Sequence, residues 1–229
     1  MLADERSRTI FWEQLACRMT LSTESFSRLS TIEQPQYFPH DIFHLHPHET
    51  FVDGGAFTGD SLQVFLKESA CKFRSIVAIE PDPANNKTLQ EEVASLDSAL
   101  EEKITTVQCA LGDHQGTVAF AASGSTQSAI GESGDKVPLQ TLDNLLVDET
   151  PTLIKLDIEG AERAALIGAS KTIRRHQPIL AICLYHRPED IWKIPLQITA
   201  INPSYRIYIR RHGGDGVEMV CYALPAERA

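Results

Sequence analysis

The feature that most constrains the fold is one ten-residue segment, Phe51-Val-Asp-Gly-Gly-Ala-Phe-Thr-Gly-Asp60. Its first residues are typical of a buried strand that ends at Asp53, and glycines follow where the backbone has to turn. Gly55 and Gly59 carry no side chain, so the backbone can approach a ligand closely at these positions. A strand, a glycine turn and a helix in this order are typical of an α/β protein with a nucleotide-like cofactor at the turn. The alternative is an ordinary strand-to-helix connection.

The spacing of the glycines indicates which class of cofactor fits. A dinucleotide turn has the pattern G-x-G-x-x-G and holds a pyrophosphate, whereas this turn is D-x-G-x-x-x-G followed by Asp60, which would repel a phosphate. The sequence contains no G-x-x-x-x-G-K-[ST] run either, so no triphosphate site is predicted. A cationic adenosine compound such as S-adenosylmethionine fits, because Asp53 and Asp60 suit its sulfonium and ammonium groups. Thr58 or Asp60 can also cap the following helix.

A second predicted strand, Ser75-Ile-Val-Ala-Ile-Glu80, ends in an acidic residue that lies 21 residues after Gly59. An acidic residue about 20 positions beyond the glycine turn is placed to accept hydrogen bonds from ribose hydroxyls. The alternative for Glu80 is a solvated strand end. Pro81-Asp82-Pro83 then breaks the strand, and Pro83 suits the first turn of a helix that runs to about Leu96.

A third block, Thr152-Leu-Ile-Lys-Leu-Asp-Ile-Glu-Gly-Ala-Glu162, predicts a central strand with three carboxylates crowded at its end. The apolar positions of that strand are Leu153, Ile154, Leu156 and Ile158. Asp157, Glu159 and Glu162 supply the negative charge, which is unfavourable without a function or a counter-charge. Because the carboxyl ends of parallel strands face one crevice, this charge is expected beside the two acidic strand ends above. Glu162 can alternatively be a helix-start carboxylate.

Four blocks, FVDGGAFTGD, AIEPDP, QCALGD and IKLDIEGAE, resemble in order and separation the FkbM-type family of S-adenosylmethionine-dependent methyltransferases. The similarity runs from about Tyr37 to Pro225. It implies an α/β fold with a Rossmann-like seven-stranded methyltransferase sheet, mostly parallel with a C-terminal antiparallel hairpin and with helices on both faces. It also implies methylation, usually of a hydroxyl on a sugar, polyketide or other small metabolite. Two departures are Gly54, where the family more often has a branched apolar residue, and Phe57-Thr58, in place of an asparagine-containing turn.

The resemblance also implies a set of residues that contact S-adenosylmethionine or its product S-adenosylhomocysteine. Ala110 and Leu111 would border the adenine, and Glu80 the ribose. The set predicted for cofactor binding is Asp53, Gly54, Gly55, Ala56, Phe57, Gly59, Asp60, Ser61, Glu80, Pro81, Asp82, Ala110, Leu111 and Asp157.

Methylation of an alcohol needs a general base, and the candidates for catalysis are His186, Asp157 and Glu159. His186 follows the apolar run that starts at Pro178, and its ordinary pKa suits proton transfer near neutral pH. Asp157 and Glu159 could orient the acceptor or bind a divalent ion together. His186 can alternatively be a hydrogen-bonded strand-end histidine. No dedicated metal site is predicted, because the four histidines between Phe38 and Glu49 suggest an extended surface segment.

The chain is predicted to divide into a helical or cap segment, residues 1–48, and a methyltransferase domain, residues 49–229. Apolar spacing from Thr9 to about Leu29 predicts one or two amphipathic helices that form a lid, or a layer on the domain or on the partner subunit of a homodimer. Strands and helices alternate from residue 51 onwards, which favours a doubly wound parallel sheet. Ser123–Asp135 is expected to be a loop, and a C-terminal hairpin is expected around residues 213–216.

Composition and charge limit the binding partners and the cellular location that are expected for this chain. A formal charge of −10 argues against nucleic-acid binding and favours a small-molecule acceptor. The basic runs Arg174–His176 and Arg210–His212 are interpreted as a helix C-terminus and a solvated strand end. Five cysteines without a C-x-x-C pair, no signal-peptide pattern and no run of about 18 apolar residues together predict a cytoplasmic protein with no membrane association.

Two alternatives remain at this stage. An NAD-dependent oxidoreductase could use the same turn and Glu80, although the glycine spacing and the C-terminal hairpin disfavour it. A catalytically inactive methyltransferase-like binding domain is the other, since the residues for the acceptor carry the weakest sequence signal.

Overall fold

The computed structural model describes residues 2–22, 34–121, 129–130, 135–213 and 218–228. The strands in these ranges are β1 (Thr50–Gly54), β2 (Ser75–Ile79), β3 (Ile104–Val107), β4 (Ala110–Leu111), β5 (Gly116–Ala121), β6 (Ala129–Ile130), β7 (Asp135–Gln140), β8 (Leu153–Leu156), β9 (Ile179–Cys183), β10 (Arg206–Arg211) and β11 (Met219–Leu224). The helices are α1 (Glu5–Thr20), α2 (Asp60–Glu68), α3 (Pro83–Ala94), α4 (Ser98–Glu101), α5 (Leu142–Leu145), α6 (Glu162–Gly168), α7 (Ser170–His176) and α8 (Asp190–Ile201), with a final 3-10 turn at Ala226–Arg228.

Residues Leu45–Pro178 form one compact unit around a parallel sheet with the strand order β8-β1-β2-β3. Every residue of β1 and of β8 is buried, as expected for inner strands of a parallel sheet that is covered on both faces. Helix α2 packs on β1 through Phe65, whose ring stacks on Phe51 at a centroid distance of 4.6 Å. The predicted alternation of strands and helices is confirmed in this unit.

The same unit holds a second sheet that the sequence analysis did not predict, with the order β4-β7-β5-β6. Its buried core is Ala110, Phe120, Val137 and Leu139. The stretch predicted as a loop, Ser123–Asp135, contains β6 and the first residue of β7, and its other residues lie outside the described ranges. The successive strands β3 and β4 belong to different sheets, although only two residues separate them.

The second compact unit joins Met1–His44 to Ile179–Ala229. Strands β9, β11 and β10 pair antiparallel, with Tyr208 opposite Tyr222, which confirms the predicted C-terminal hairpin. Helix α1 lies against β10, where the Ser7 hydroxyl accepts the Ile209 amide at 2.9 Å. Only one helix, Glu5–Thr20, is described where one or two were predicted, and residues 23–33 lie outside the described ranges.

The basic run at the end of β10 differs from its prediction. Arg210, Arg211 and His212 are 2%, 3% and 3% exposed, so they are not a solvated strand end. Arg210 forms ion pairs with Asp4 at 2.6 Å and Asp41 at 2.8 Å. Burial disfavours the charged guanidinium, but these two carboxylates outweigh it and raise the pKa of Arg210. The acidic partners, distant in sequence, are what allow the arginine to be buried.

The parallel strands β8, β1, β2 and β3 and the group β9, β11 and β10, in which β11 runs antiparallel to both neighbours, are the seven strands of the predicted methyltransferase sheet. The predicted α/β fold class is therefore confirmed. No disulfide forms among the described residues, which include all five cysteines. None of the described helices has the length and hydropathy that a membrane crossing requires. The predicted domain boundary at residue 48 stays a prediction.

Candidate active site

The turn between β1 and α2 depends on its glycines for both conformation and space. Gly55 has a φ of 78°, in the left-handed region, and a Cβ added to it would stand 1.9 Å from the carbonyl oxygen of Asp157. A Cβ on Gly54 would stand 2.7 Å from Leu156 and 3.0 Å from Leu111. Gly54 and Gly55 therefore let β1 end directly against the end of β8 and beside Leu111.

The backbone amides of this turn donate hydrogen bonds to acceptors within the protein. The amides of Gly55 and Ala56 donate to the Ile79 carbonyl oxygen at 2.9 and 3.0 Å. The Phe57 amide donates to Glu80 Oε2 at 2.9 Å, and the Gly59 amide donates to the Ala56 carbonyl at 2.9 Å. In a dinucleotide turn such amides bind a pyrophosphate. Here the first three anchor the turn to the end of β2, and the Gly59 amide closes the turn on itself.

Glu80 lies at the end of β2 and is only 5% exposed. Its two carboxylate oxygens accept the amides of Phe57 and Asp82, the second at 3.0 Å. Burial raises the pKa of Glu80, although these amides and Lys155 oppose the shift. Each carboxylate oxygen has a second lone pair, so Glu80 can accept further hydrogen bonds.

Asp53 has internal partners that the sequence analysis missed. Its carboxylate is fully buried, with Oδ1 at 2.9 Å from Lys155 Nζ and Oδ2 accepting the Ser61 hydroxyl at 2.5 Å. Lys155 Nζ also donates to the Gly55 carbonyl oxygen at 2.6 Å. The ion pair therefore ties β1, β8 and the turn together. The signal that could have found it is a lysine within an otherwise apolar strand, where a buried charge needs a partner.

Two other acidic residues of the predicted set lie at helix starts. Asp82 is fully buried and caps α3, because its side chain accepts the amides of Ala84 at 2.8 Å and Asn85 at 3.2 Å. Asp60 is the exposed first residue of α2. The cap position before it is Gly59, without a side-chain hydrogen bond, so the predicted capping by Thr58 or Asp60 was wrong. The left-handed φ of 103° at this position favours glycine.

The turn after β8 carries the remaining carboxylates. The Asp157 amide donates to the Gly54 carbonyl at 3.0 Å, which places this turn beside the glycine turn. Glu162 is fully buried, begins α6 and accepts the amides of Ile158 at 2.9 Å and Gly160 at 3.3 Å. Glu159 is exposed and has a φ of 55°, which is strained for a residue with a side chain. Glu162 thus closes the turn from inside, while Glu159 is accessible to solvent.

Most of the predicted cofactor set therefore contacts the glycine turn or belongs to it. Asp157 and Leu111 adjoin Gly54, and Glu80 adjoins Phe57; Ala110 precedes Leu111 in β4, and Pro81 is half-buried after Glu80. His186 belongs to the other compact unit, three residues beyond β9. It is half-buried, with its ring 4.3 Å from that of Tyr185. That these residues bind a cofactor or catalyse a reaction stays a prediction.

Comparisons with known proteins agree on one class. The sequence profile of the methyltransferase FkbM domain matches residues 53–213. The crystal structure of methyltransferase FkbM from Methylobacillus flagellatus KT is 30% identical, with a TM-score of 0.83 over 97% of this chain. This chain covers 56% of the length of that protein. No curated protein sequence matches the chain.

More distant structures share the fold alone. A putative rRNA methylase from Clostridium thermocellum is 8% identical, with a TM-score of 0.54, and the match covers 85% of this chain and 99% of the other. Aeropyrum pernix fibrillarin, solved with natively bound S-adenosyl-L-methionine, is 11% identical, with a TM-score of 0.50 and coverage of 79% and 69%.

Proposed function

The chain belongs to the FkbM family of methyltransferases, and from this membership we propose that it binds S-adenosylmethionine and methylates a hydroxyl of a small metabolite or sugar. The observation that carries the proposal is the hydrogen bonding of the glycine turn. Four of its amides are donated to acceptors within the protein, including Ile79 and Glu80, which leaves a phosphate few donors. Glu80 retains lone pairs at the strand end. A cofactor with ribose hydroxyls and no phosphate matches this arrangement.

The chemistry of the surrounding side chains fits the same cofactor. Glu80 would accept hydrogen bonds from ribose hydroxyls through the lone pairs that Phe57 and Asp82 do not use. Ala110 and Leu111 are apolar and 3% exposed each, which suits the edge of an adenine site. Acidic residues such as Asp60, Asp157 and Glu159 suit the cationic amino-acid portion.

Catalysis then rests mainly on positioning. The bound cofactor supplies a methyl carbon on a sulfonium sulfur, which is a good leaving group. The residues of the chain have to hold the acceptor oxygen in line with that carbon, exclude water and take up the hydroxyl proton. We assign proton uptake to an imidazole nitrogen of His186, and orientation of the acceptor to Asp157 and Glu159.

Charge favours a small-molecule acceptor over a nucleic acid. The formal charge is −10, and phosphate binding needs clustered, accessible cations. The densest basic run near the C-terminus is unavailable for this role, because Arg210 is buried and paired with Asp4 and Asp41. A cytoplasmic location and a homodimer remain proposals.

Calorimetry of the purified chain with S-adenosylmethionine, S-adenosylhomocysteine and NAD tests the proposal. We expect the first two to bind and NAD not to bind. NAD binding without S-adenosylmethionine binding would favour the oxidoreductase. Cofactor binding without methyl transfer to any of a panel of hydroxylated acceptors would favour the inactive binding domain.

His186→Ala tests the assigned base once an acceptor is found. Turnover should fall about a hundredfold or more, while the Kd for S-adenosylmethionine should stay within about twofold, because the base acts on the acceptor alone. His48→Ala, at an exposed histidine outside the proposed site, is the matched control. Unchanged turnover in His186→Ala would remove this residue as the base.

A further inference from the structure

Lys155 is a buried cation beside the glycine turn that the proposed reaction does not use. It is 2% exposed and lies in β8, directly opposite Asp53 in the parallel register of β1 and β8. Residues paired in this way point to the same face of the sheet. A lysine is rarely buried unless it is paired, so this position calls for an explanation.

The ammonium group of Lys155 contacts two parts of the turn at once. Its Nζ is 2.9 Å from Asp53 Oδ1 and 2.6 Å from the carbonyl oxygen of Gly55. Gly55 has the left-handed φ of 78° on which the turn depends. Ser61, in the first turn of α2, donates to the other oxygen of Asp53. One charge therefore fixes the strand end, the glycine and, through Asp53, the helix that follows.

Lys155 also sets the charge at this strand edge. Asp53 and Glu80 lie at the ends of the neighbouring strands β1 and β2. The glycine turn connects them, because the Phe57 amide of this turn donates to Glu80. Lys155 compensates Asp53 directly, and its charge also reaches Glu80, where it opposes the rise in pKa that burial causes. A cationic ligand at the turn would therefore meet two carboxylates: Asp53, whose charge Lys155 already neutralises, and Glu80, whose charge is not neutralised in this way.

We propose that Lys155 is a positioning residue of the cofactor turn, which fixes the Gly55 carbonyl and compensates Asp53 so that the turn keeps the shape and charge that a cationic cofactor requires. The ligand part of this inference rests on the proposed function. The shape part does not, because it concerns the backbone of the ligand-free protein. The two parts therefore have separate measurements.

The variants are chosen to separate charge from shape. Lys155→Met alone leaves Asp53 as a buried carboxylate without its counter-charge and is expected to fold poorly. The main variant is therefore the double substitution Lys155→Met/Asp53→Asn, which removes both charges. Asp53→Asn alone keeps the lysine and its contact with Gly55. Lys87→Met, at an exposed lysine 3.7 Å from Glu91, is the matched control.

The first measurement is amide hydrogen exchange of Gly55, Ala56, Phe57 and Gly59 in the ligand-free protein. In the double variant these amides should exchange at least about tenfold faster relative to the rest of the sheet, because the turn has lost the donor to Gly55. Lys87→Met should not change them. Equal exchange in the folded double variant and the parent would overturn the positioning role, whether or not the protein binds a cofactor.

The second measurement is calorimetry with cationic S-adenosylmethionine and uncharged-sulfur S-adenosylhomocysteine. In Asp53→Asn, the uncompensated lysine should lower the affinity for S-adenosylmethionine relative to that for S-adenosylhomocysteine by about fivefold. The double variant should restore the parent ratio, with both affinities about tenfold lower. A purely structural role would lower both affinities equally in each variant, so an unchanged ratio in Asp53→Asn overturns the charge role. If the parent binds neither ligand while exchange rises in the double variant, the proposed function fails and the positioning of the turn stands.

Discussion

Gly55→Ala tests directly whether the end of β1 is built around a missing side chain. Alanine in the left-handed region, at a φ of 78°, costs about 1–2 kcal/mol. Its Cβ would stand 1.9 Å from the Asp157 carbonyl oxygen, which is backbone and cannot swing aside. This clash can be relieved only if β1 and β8 separate locally. The separation breaks the hydrogen bond from the Asp157 amide to the Gly54 carbonyl, which costs about 1 kcal/mol. We expect the free energy of unfolding to fall by about 2–3 kcal/mol.

Two other glycines of the same unit isolate the contributions. Gly59→Ala has the left-handed φ of 103° but no close contact, because the nearest atom is 3.4 Å from the added Cβ, so it should cost about 1–2 kcal/mol. Gly116→Ala has neither feature, with its nearest atom at 3.7 Å, and should cost about 0 kcal/mol. Urea unfolding followed by far-UV circular dichroism gives the three values. If Gly55→Ala proves no more destabilising than Gly59→Ala, the close approach to Asp157 is not a constraint and the reasoning fails.

Two further predictions concern titratable groups. Glu80→Gln should lower the affinity for S-adenosylmethionine about tenfold or more in calorimetry, because one oxygen becomes a donor, whereas Glu91→Gln on the exposed face of α3 should not change it. Burial lowers the pKa of His212 to about 4, whereas in the unfolded chain the imidazole has its ordinary pKa of about 6.5. The unfolded chain therefore binds a proton at higher pH than the folded protein does. The stability that is present above about pH 6.5 is lost as the pH falls towards 4. Urea unfolding at pH 7 and at pH 4 measures this loss. Between the two pH values, the free energy of unfolding of His212→Gln should fall by about 3 kcal/mol less than that of the parent, whereas exposed His48→Gln should behave like the parent. Equal losses in the parent and in His212→Gln would contradict the pKa shift.

Local patterns in the sequence predicted the elements around the site well. The strand ends at Asp53, Glu80 and Asp157 were readable because an apolar run followed by a carboxylate and a turn residue is contained in a few positions. Pro83 marked the start of α3 for the same reason. The ends of these strands adjoin because parallel strands align their carboxyl ends, which is a general property of such sheets.

What could not be predicted depends on partners that are distant in sequence. Lys155 meets Gly55, 100 residues away, and nothing near either residue identifies the other. The break between α6 and α7 at Ala169 depends on a similar contact, because a Cβ on the adjacent Gly168 would stand 2.1 Å from the Gly112 carbonyl oxygen. Arg210 was assigned to solvent because Asp4 and Asp41 are not visible as its partners in the sequence.

The ion pair between Asp4 and Arg210 joins residues 206 positions apart, within a unit made from both ends of the chain. During synthesis at about 5–20 residues per second, α1 leaves the ribosome well before β10 exists to receive it. Residues 45–178, by contrast, are one continuous stretch that contains the parallel strands β8, β1, β2 and β3 and the whole of the second sheet. We therefore expect the nascent chain to acquire protease resistance first in this middle stretch, with the amino-terminal helix docking only after translation has passed the final hairpin.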